Sequence, residues 1–176
     1  MMTLESSAEF PGADDGFERL WTPHRMVYID SQKTPSACPF CVAPTKSDEE
    51  ALIVHRGETC FVILNLFPYN PGHLLICPYR HVADLTDLTR DEVTEIGELT
   101  QHAMRTIRAT TPPAGFNIGV NQGVLAGTGI ADHFHQHLVP RWTGDANFFP
   151  IIARTKVLPR LLGETRDELS QAWGQS

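Results

Sequence analysis

A chain of 176 residues that is 41% hydrophobic and 20% charged has material for one globular domain with a sizeable core plus short extensions, and a second full domain is not expected. A formal charge of −7 offers no global attraction for nucleic acid or an anionic membrane, so any anionic ligand would have to be held by local donors. No apolar run approaches the roughly 18 residues that span a bilayer, and the acidic start lacks the basic and apolar regions of a leader; the expectation is a cytoplasmic protein with no membrane and no nucleic-acid partner.

Residues 1–30 read as an N-terminal arm: polar and acidic to about residue 20, then apolar enough around Leu20, Trp21, Met26 and Ile29 to pack onto a core. Residues 31–176 read as the domain, with a C-terminal extension from about residue 143. After a loop over 31–46, β-rich runs at 51–55, 60–65 and 73–77 are separated by the hairpin-length Arg56-Gly57-Glu58-Thr59 and by Pro68-Tyr69-Asn70-Pro71-Gly72, which predicts an antiparallel meander. Thr89 and Glu92 form a capping-box pattern opening a helix with Val93, Ile96, Leu99, Ala103, Met104 and Ile107 on one face, stopped by Thr111-Pro112-Pro113. A strand over 116–121, a glycine-containing loop over 122–132, a histidine-rich strand, an apolar stretch around Ile151 and Ile152, and a short helix over about 164–173 complete the chain. The pattern is α+β: an antiparallel sheet of about five strands with one long and one short helix.

The histidine-rich run is His133-Phe134-His135-Gln136-His137-Leu138-Val139. A strand sends alternate side chains to one face, so the three imidazoles should share a surface, about 6.6 Å apart along the chain. Imidazole, with an ordinary pKa of about 6.5, serves as nucleophile, base or acid near neutral pH; a plain surface strand or a metal patch stays open on spacing alone. His73, after Pro71-Gly72, reads equally as a structural histidine, and Asn65 and Asn121 as turn or strand-end amides. The glycines of Gly123-Val124-Leu125-Ala126-Gly127-Thr128-Gly129 can bring backbone N–H groups close to phosphate. Trp142 could stack on a base, meet a second subunit or pack in the core; Arg141 could pair with phosphate or stay solvated. Of four cysteines, Cys60 and Cys77 lie in apolar runs as inert core thiols. Cys38-Pro39-Phe40-Cys41 looks less like part of a disulfide framework than like a ligand pair in a reducing compartment, though a lone CxxC leaves zinc, redox chemistry or neither open.

With Asn70-Pro71-Gly72-His73-Leu74-Leu75-Ile76, Tyr79-Arg80-His81-Val82 and Asn121-Gln122-Gly123, the run at 133–139 resembles the histidine-triad (HIT) family of nucleotide hydrolases and transferases, whose signature is His-x-His-x-His followed by two apolar residues; Gln136 is a polar departure. The tail from Pro140 to Phe148 and the arm around Trp21-Thr22-Pro23 resemble its bacterial diadenosine tetraphosphate phosphorylase branch. The resemblance implies a HIT-like fold and a homodimer paired through the long helix and a strand. It implies His135 as nucleophile through a nucleotidyl-imidazole intermediate, His137 on the phosphate or leaving-group oxygen, and His73 orienting the triad. Asn121 would meet phosphate together with Gly127, Thr128 and Gly129, although a hydroxyl that relatives carry at the second position of Thr128-Gly129 is missing; Asn65 would bind ribose. In zinc-bearing members Cys38 and Cys41 would be joined by His81 and His133 around a structural zinc, with no catalytic metal required. The implied reaction is diadenosine tetraphosphate plus inorganic phosphate giving ATP and ADP. Hydrolysis with water as acceptor, phosphoramidate cleavage, and a zinc-stabilised nucleotide-binding module with little turnover are the alternatives; DNA-end processing would need a basic face that the charge argues against.

Overall fold

A computed structural model describes residues 37–145 and 160–175; the arm expected over residues 1–30 and the apolar stretch around Ile151 and Ile152 lie outside the described residues. Five antiparallel strands, β1 (Ile53–Arg56), β2 (Cys60–Leu64), β3 (Leu74–Pro78), β4 (Gly115–Val120) and β5 (Gln136–Arg141), form one sheet in the order β1-β2-β3-β5-β4. The first three are the expected meander. Helices α1 (Pro39–Val42) and α2 (Asp48–Ala51) are short, α3 (Arg90–Thr110) is long, and α4 (Leu162–Trp173) closes the described chain.

Both faces of the inner strands are covered, which explains why β2 and β3 are buried at every position rather than alternating. On one face Val62, Leu64, Leu74, Ile76, Phe134 and Leu138 pack against Ile96, Leu99, Ala103 and Ile107 of α3 and Leu169 and Trp173 of α4. On the other, Ile53, Phe61, Ile63, Leu75 and Cys77 meet Phe40 and Ala43, contributed by and just beyond α1. Cys60 and Cys77 are fully enclosed. Burial pushes the Cys60 thiol up to about 11 and Cys77 well up as well, so both stay protonated, as inert core thiols should.

The long helix starts with the capping box read from Thr89 and Glu92: the Thr89 hydroxyl accepts from Glu92 N–H, and Glu92 accepts from Thr89 N–H. Its inward stripe differs from the expected one at its start, where Val93 is half exposed and Glu92 is buried. The reason is electrostatic: both Glu92 oxygens take guanidinium N–H groups of Arg80, at 3.0 and 2.8 Å, so its carboxylate is satisfied inside. The β1–β2 turn is fixed to the same helix by Glu95, which accepts from the backbone N–H groups of Glu58, Thr59 and Cys60 and from the Thr59 hydroxyl. A Cβ on Gly57 would run into the Glu95 carboxylate, so a side chain there would push Glu95 off these N–H groups.

Two boundaries moved. Ala51 ends α2 and Leu52 adopts φ 62°, so the first strand begins at Ile53, not at 51; Ser47 caps that unexpected helix by accepting from Glu50 N–H. A register shift between Ile53 and His55 marks a bulge, beyond which His55 stacks on Trp173 beside the already helix-facing Val54. The histidine strand pairs regularly only from Gln136, with His133 and His135 in its approach. Gln136, the polar residue amid apolar neighbours, faces α3 and donates to the Thr100 hydroxyl at 2.7 Å, so its amide is not left unsatisfied.

Candidate active site

The residues facing away from α3 build the site. His137 pairs with Leu75 across β3 and β5, beneath the connection from Asn65 to His73. That connection closes tightly: Asn65 N–H donates to the His73 carbonyl at 2.9 Å, and His73 N–H to the Asn70 carbonyl at 3.2 Å. His73 is thereby sealed completely, with its Nε2 2.9 Å from Nδ1 of His137. Tyr69 lies over both rings, 4.7 Å from His73 and stacked at 5.7 Å on His137. The His135 ring stands edge-on to His137 at 5.1 Å and rests against Phe40 at 5.0 Å. His133, His135 and His137 thus gather on one side of the sheet, His133 turned toward α1.

Hydrogen bonds define what each ring can do, because a backbone carbonyl only accepts and a backbone N–H only donates. His135 Nδ1 lies 2.8 Å from the His133 carbonyl oxygen, so Nδ1 carries the proton and Nε2 keeps its lone pair. His133 Nε2 lies 2.9 Å from the Pro78 carbonyl oxygen, which leaves Nδ1 as its electron-pair donor. Burial lowers the pKa of both rings, opposed in each case by the bond to a carbonyl. His137 Nε2 is buried and has no partner among the described residues. Burial first, and then His135, pushes His137 down to about 4.

That depression has a measurable consequence. The unfolded chain takes up this proton near pH 6.5 and the folded chain near pH 4, so the group's stability contribution is complete above 6.5 and falls as the pH drops between these values. Urea unfolding is expected to show a loss from pH 7 to pH 5 that is smaller by about 2 kcal/mol in His137→Gln than in the unmutated protein. Equal losses in the two proteins would mean that His137 is not held neutral by burial.

A cleft of about 390 Å³ opens beside His137, lined also by Tyr69, Asn70, Asn117, Asn121 and Arg141. Asn121 lines this cleft. The loop after it is anchored by Gln122, which accepts from Leu85 N–H and donates to Asp84. Gly123 and Gly127 take φ values of 84° and 82°, in the region that favours glycine. Thr128 donates its hydroxyl to the Ile130 carbonyl at 3.1 Å. Asn65 lies against His73 and not among the cleft residues, its Nδ2 3.3 Å from His73 Nδ1. Arg141 is held by Asp145 through both oxygens and by Asn117, so its charge is already matched. Trp142 is brought elsewhere: it has the parity of Gln136 and Leu138, falls on the helix side, and lines a separate cleft with Pro71, Gly72, Ile107 and Leu169. The two-residue period places it on the face opposite His137, a signal present in the sequence. Tyr69, Asn70 and Asn117 were not expected in the site; they belong to a turn and to an edge strand, where no spacing rule points inward.

Cys38, Cys41, His81 and His133 converge so that one donor atom of each lies within 4.8 Å of the others. Cys38 Sγ is 3.4 Å from His133 Nδ1, Cys41 Sγ is 3.3 Å from His81 Nδ1 and 3.6 Å from His133 Nδ1, and the two Nδ1 atoms are 3.3 Å apart. These four side chains could hold a metal ion, with Pro78 fixing the His133 ring from behind.

A five-stranded antiparallel sheet with a paired-imidazole site beside a two-cysteine, two-histidine cluster defines the class: the chain belongs to the HIT family, whose HIT domain model matches residues 46–144. Within that family it is similar to AP-4-A phosphorylase of Mycobacterium tuberculosis, with 47% identity over 173 residues that cover 93% of this chain and 88% of that protein. The asymmetrical bis(5'-nucleosyl)-tetraphosphatase of Schizosaccharomyces pombe is 33% identical over 53% of this chain and 50% of its own length. Among solved structures, a zinc-bound histidine triad family protein from Mycobacterium smegmatis superposes with a TM-score of 0.64 at 28% identity, covering 79% of this chain and 94% of that one.

Proposed function

We propose that this chain cleaves diadenosine tetraphosphate with inorganic phosphate as acceptor, giving ATP and ADP. The observation that carries the reading is a ring with a free lone pair beside a second imidazole: His135 offers its electron pair at Nε2, and the next ring, His137, edge-on to it, lines the cleft. In the first step a bond forms between His135 Nε2 and the α-phosphorus, and the bridging P–O bond breaks, its electron pair leaving on ATP. A hydrogen bond from His137 to that oxygen offsets the charge it gains. In the second step a phosphate oxygen attacks the same phosphorus, the P–N bond breaks, and ADP leaves with His135 restored. Asn121 and the backbone N–H groups of Thr128 and Gly129 are the donors suited to the phosphates, with Gly127, whose own N–H goes to the Val124 carbonyl, supplying the left-handed turn before them; the 47% identity to a phosphorylase supports phosphate as acceptor.

For the four-residue cluster the reading is a structural zinc. A tetrahedron with arms of about 2.05 Å to nitrogen and about 2.3 Å to sulfur has edges of about 3.3 Å between nitrogens and about 3.6 Å between nitrogen and sulfur, in line with the separations of 3.3 to 3.6 Å among these donors. Zinc bound there would cross-link α1, the segment after β3 and the approach to β5; with four protein ligands it holds no water for chemistry. The protein is read as a cytoplasmic homodimer acting on small nucleotides. Half-exposed Val93 and Ile118, on α3 and edge strand β4, suit pairing through that helix and strand. No helix among the described residues is long and apolar enough to cross a membrane.

The test is a chromatographic product assay on diadenosine tetraphosphate with and without phosphate. Phosphate-dependent ATP and ADP are expected. ATP and AMP regardless of phosphate would transfer the protein to the hydrolases, and no turnover would overturn the reading.

A further inference from the structure

We infer that Asn65 is a positioning residue which, with the backbone N–H of Tyr69, fixes the tautomer of His73 and through it the proton that His137 presents to the leaving-group oxygen. The inference rests on the proposed function for what that proton does, but not for where the proton is.

Tyr69 N–H donates to His73 Nδ1 at 3.0 Å; a backbone N–H has no other role, so that nitrogen is unprotonated. Asn65 reinforces it. Its Oδ1 accepts from Phe67 N–H at 3.0 Å, which identifies the other end of the amide as the NH₂ group, and this end lies 3.3 Å from the same His73 nitrogen. With two donors converging on Nδ1, the proton of neutral His73 sits on Nε2. At 2.9 Å that N–H donates to His137 Nδ1, which forces the His137 proton onto Nε2, the buried atom without a partner among the described residues. A buried donor left unpaired carries a desolvation cost, and a phosphate oxygen would remove it. The relay therefore runs in one direction, from the turn between β2 and β3 to the reacting oxygen. A carboxylate at position 65 would oppose it, because it can only accept and would draw a proton to His73 Nδ1.

Two kinds of measurement test this. Nitrogen-15 NMR of the histidine rings needs no substrate: the unmutated protein is expected to show His73 and His137 protonated at Nε2 and His135 at Nδ1, and Asn65→Asp is expected to show His73 protonated at Nδ1. In kinetics on diadenosine tetraphosphate, Asn65→Ala, which leaves only the Tyr69 donor, is expected to lower kcat several-fold. Asn65→Asp is expected to lower it by about 10²-fold, with KM moving less than about threefold in both. A His137 proton on Nδ1 in the unmutated protein, or His73 unchanged in Asn65→Asp, would overturn the inference. So would variants that raise KM and leave kcat alone, which is the signature of a ribose contact. If the tautomers are as assigned but the dinucleotide is not cleaved, the relay stands and the proposed function falls.

Discussion

His135→Ala is expected to lose about four orders of magnitude or more in kcat for diadenosine tetraphosphate cleavage while keeping its fold. Removing a covalent nucleophile deletes the two-step path itself and leaves only substrate positioning, which explains why the loss should exceed that of a hydrogen-bond donor. His137→Gln removes a donor aimed at developing charge and should cost about 10²- to 10³-fold. Neither change should break the sheet: His135 precedes the paired part of β5 and its ring rests against Phe40, while glutamine at 137 leaves the backbone pairing with Leu75 in place. The order of the two effects is therefore a test of role. A substrate labelled on its α-phosphate should transfer label to the unmutated protein, in a bond that is acid-labile and alkali-stable, as a P–N bond is. No label should attach to His135→Ala. A His135→Ala protein retaining more than about 1% of kcat would place the nucleophile elsewhere, and full retention of function would favour a binding module.

How much of this was legible beforehand follows from range. The meander, the capped helix and the histidine strand each rest on local patterns, and each is present in the structure with edges displaced by a few residues. Leu52 shows why the edges moved: its left-handed backbone ends a helix of four residues, too short to leave a periodic trace. The buried Glu92 was not foreseeable from its own neighbourhood, since its burial depends on Arg80, twelve residues away in chain and across a loop. The site divides the same way. Alternation along 133–139 puts the imidazoles on one side, and applied one step further to Trp142 it would have kept that residue out of the cleft. The polarity of His73 and His137, in contrast, is set by two donors that meet on one ring nitrogen, the Tyr69 N–H and the Asn65 amide, and neither a backbone donor nor the direction of an amide carries a sequence signature. For the metal cluster, ligand type and the CxxC spacing were visible, but the convergence of His81 with His133 exists only because β3 and the approach to β5 are neighbours in the sheet.

Removing the proposed zinc should be the change with the largest effect on stability. Where a site forms only on folding, structural zinc contributes about 10 kcal/mol or more; here the sheet has its own core on both faces, so the share lost is smaller. A loss of about 4 kcal/mol converts to about 10 °C in Tm for a chain of this size. Protein purified without chelator is expected to carry one zinc per chain, and Cys38→Ser to carry little and melt about 10 °C lower. The effect should reach the chemistry through two contacts. Phe40, at the start of the helix that Cys38 and Cys41 would tie down, packs on the rings of His133 and His135. The carbonyl of His133, one of the four residues that would hold the zinc, accepts from His135 Nδ1. Loosening either one lets His135 sample the wrong tautomer, so kcat should fall about tenfold in Cys38→Ser with KM little changed, and added zinc should restore neither stability nor rate. Unmutated protein stripped by a chelator should show the same two losses and regain both on zinc addition. Metal-free unmutated protein of undiminished Tm and kcat would show that the cluster is not a structural zinc site.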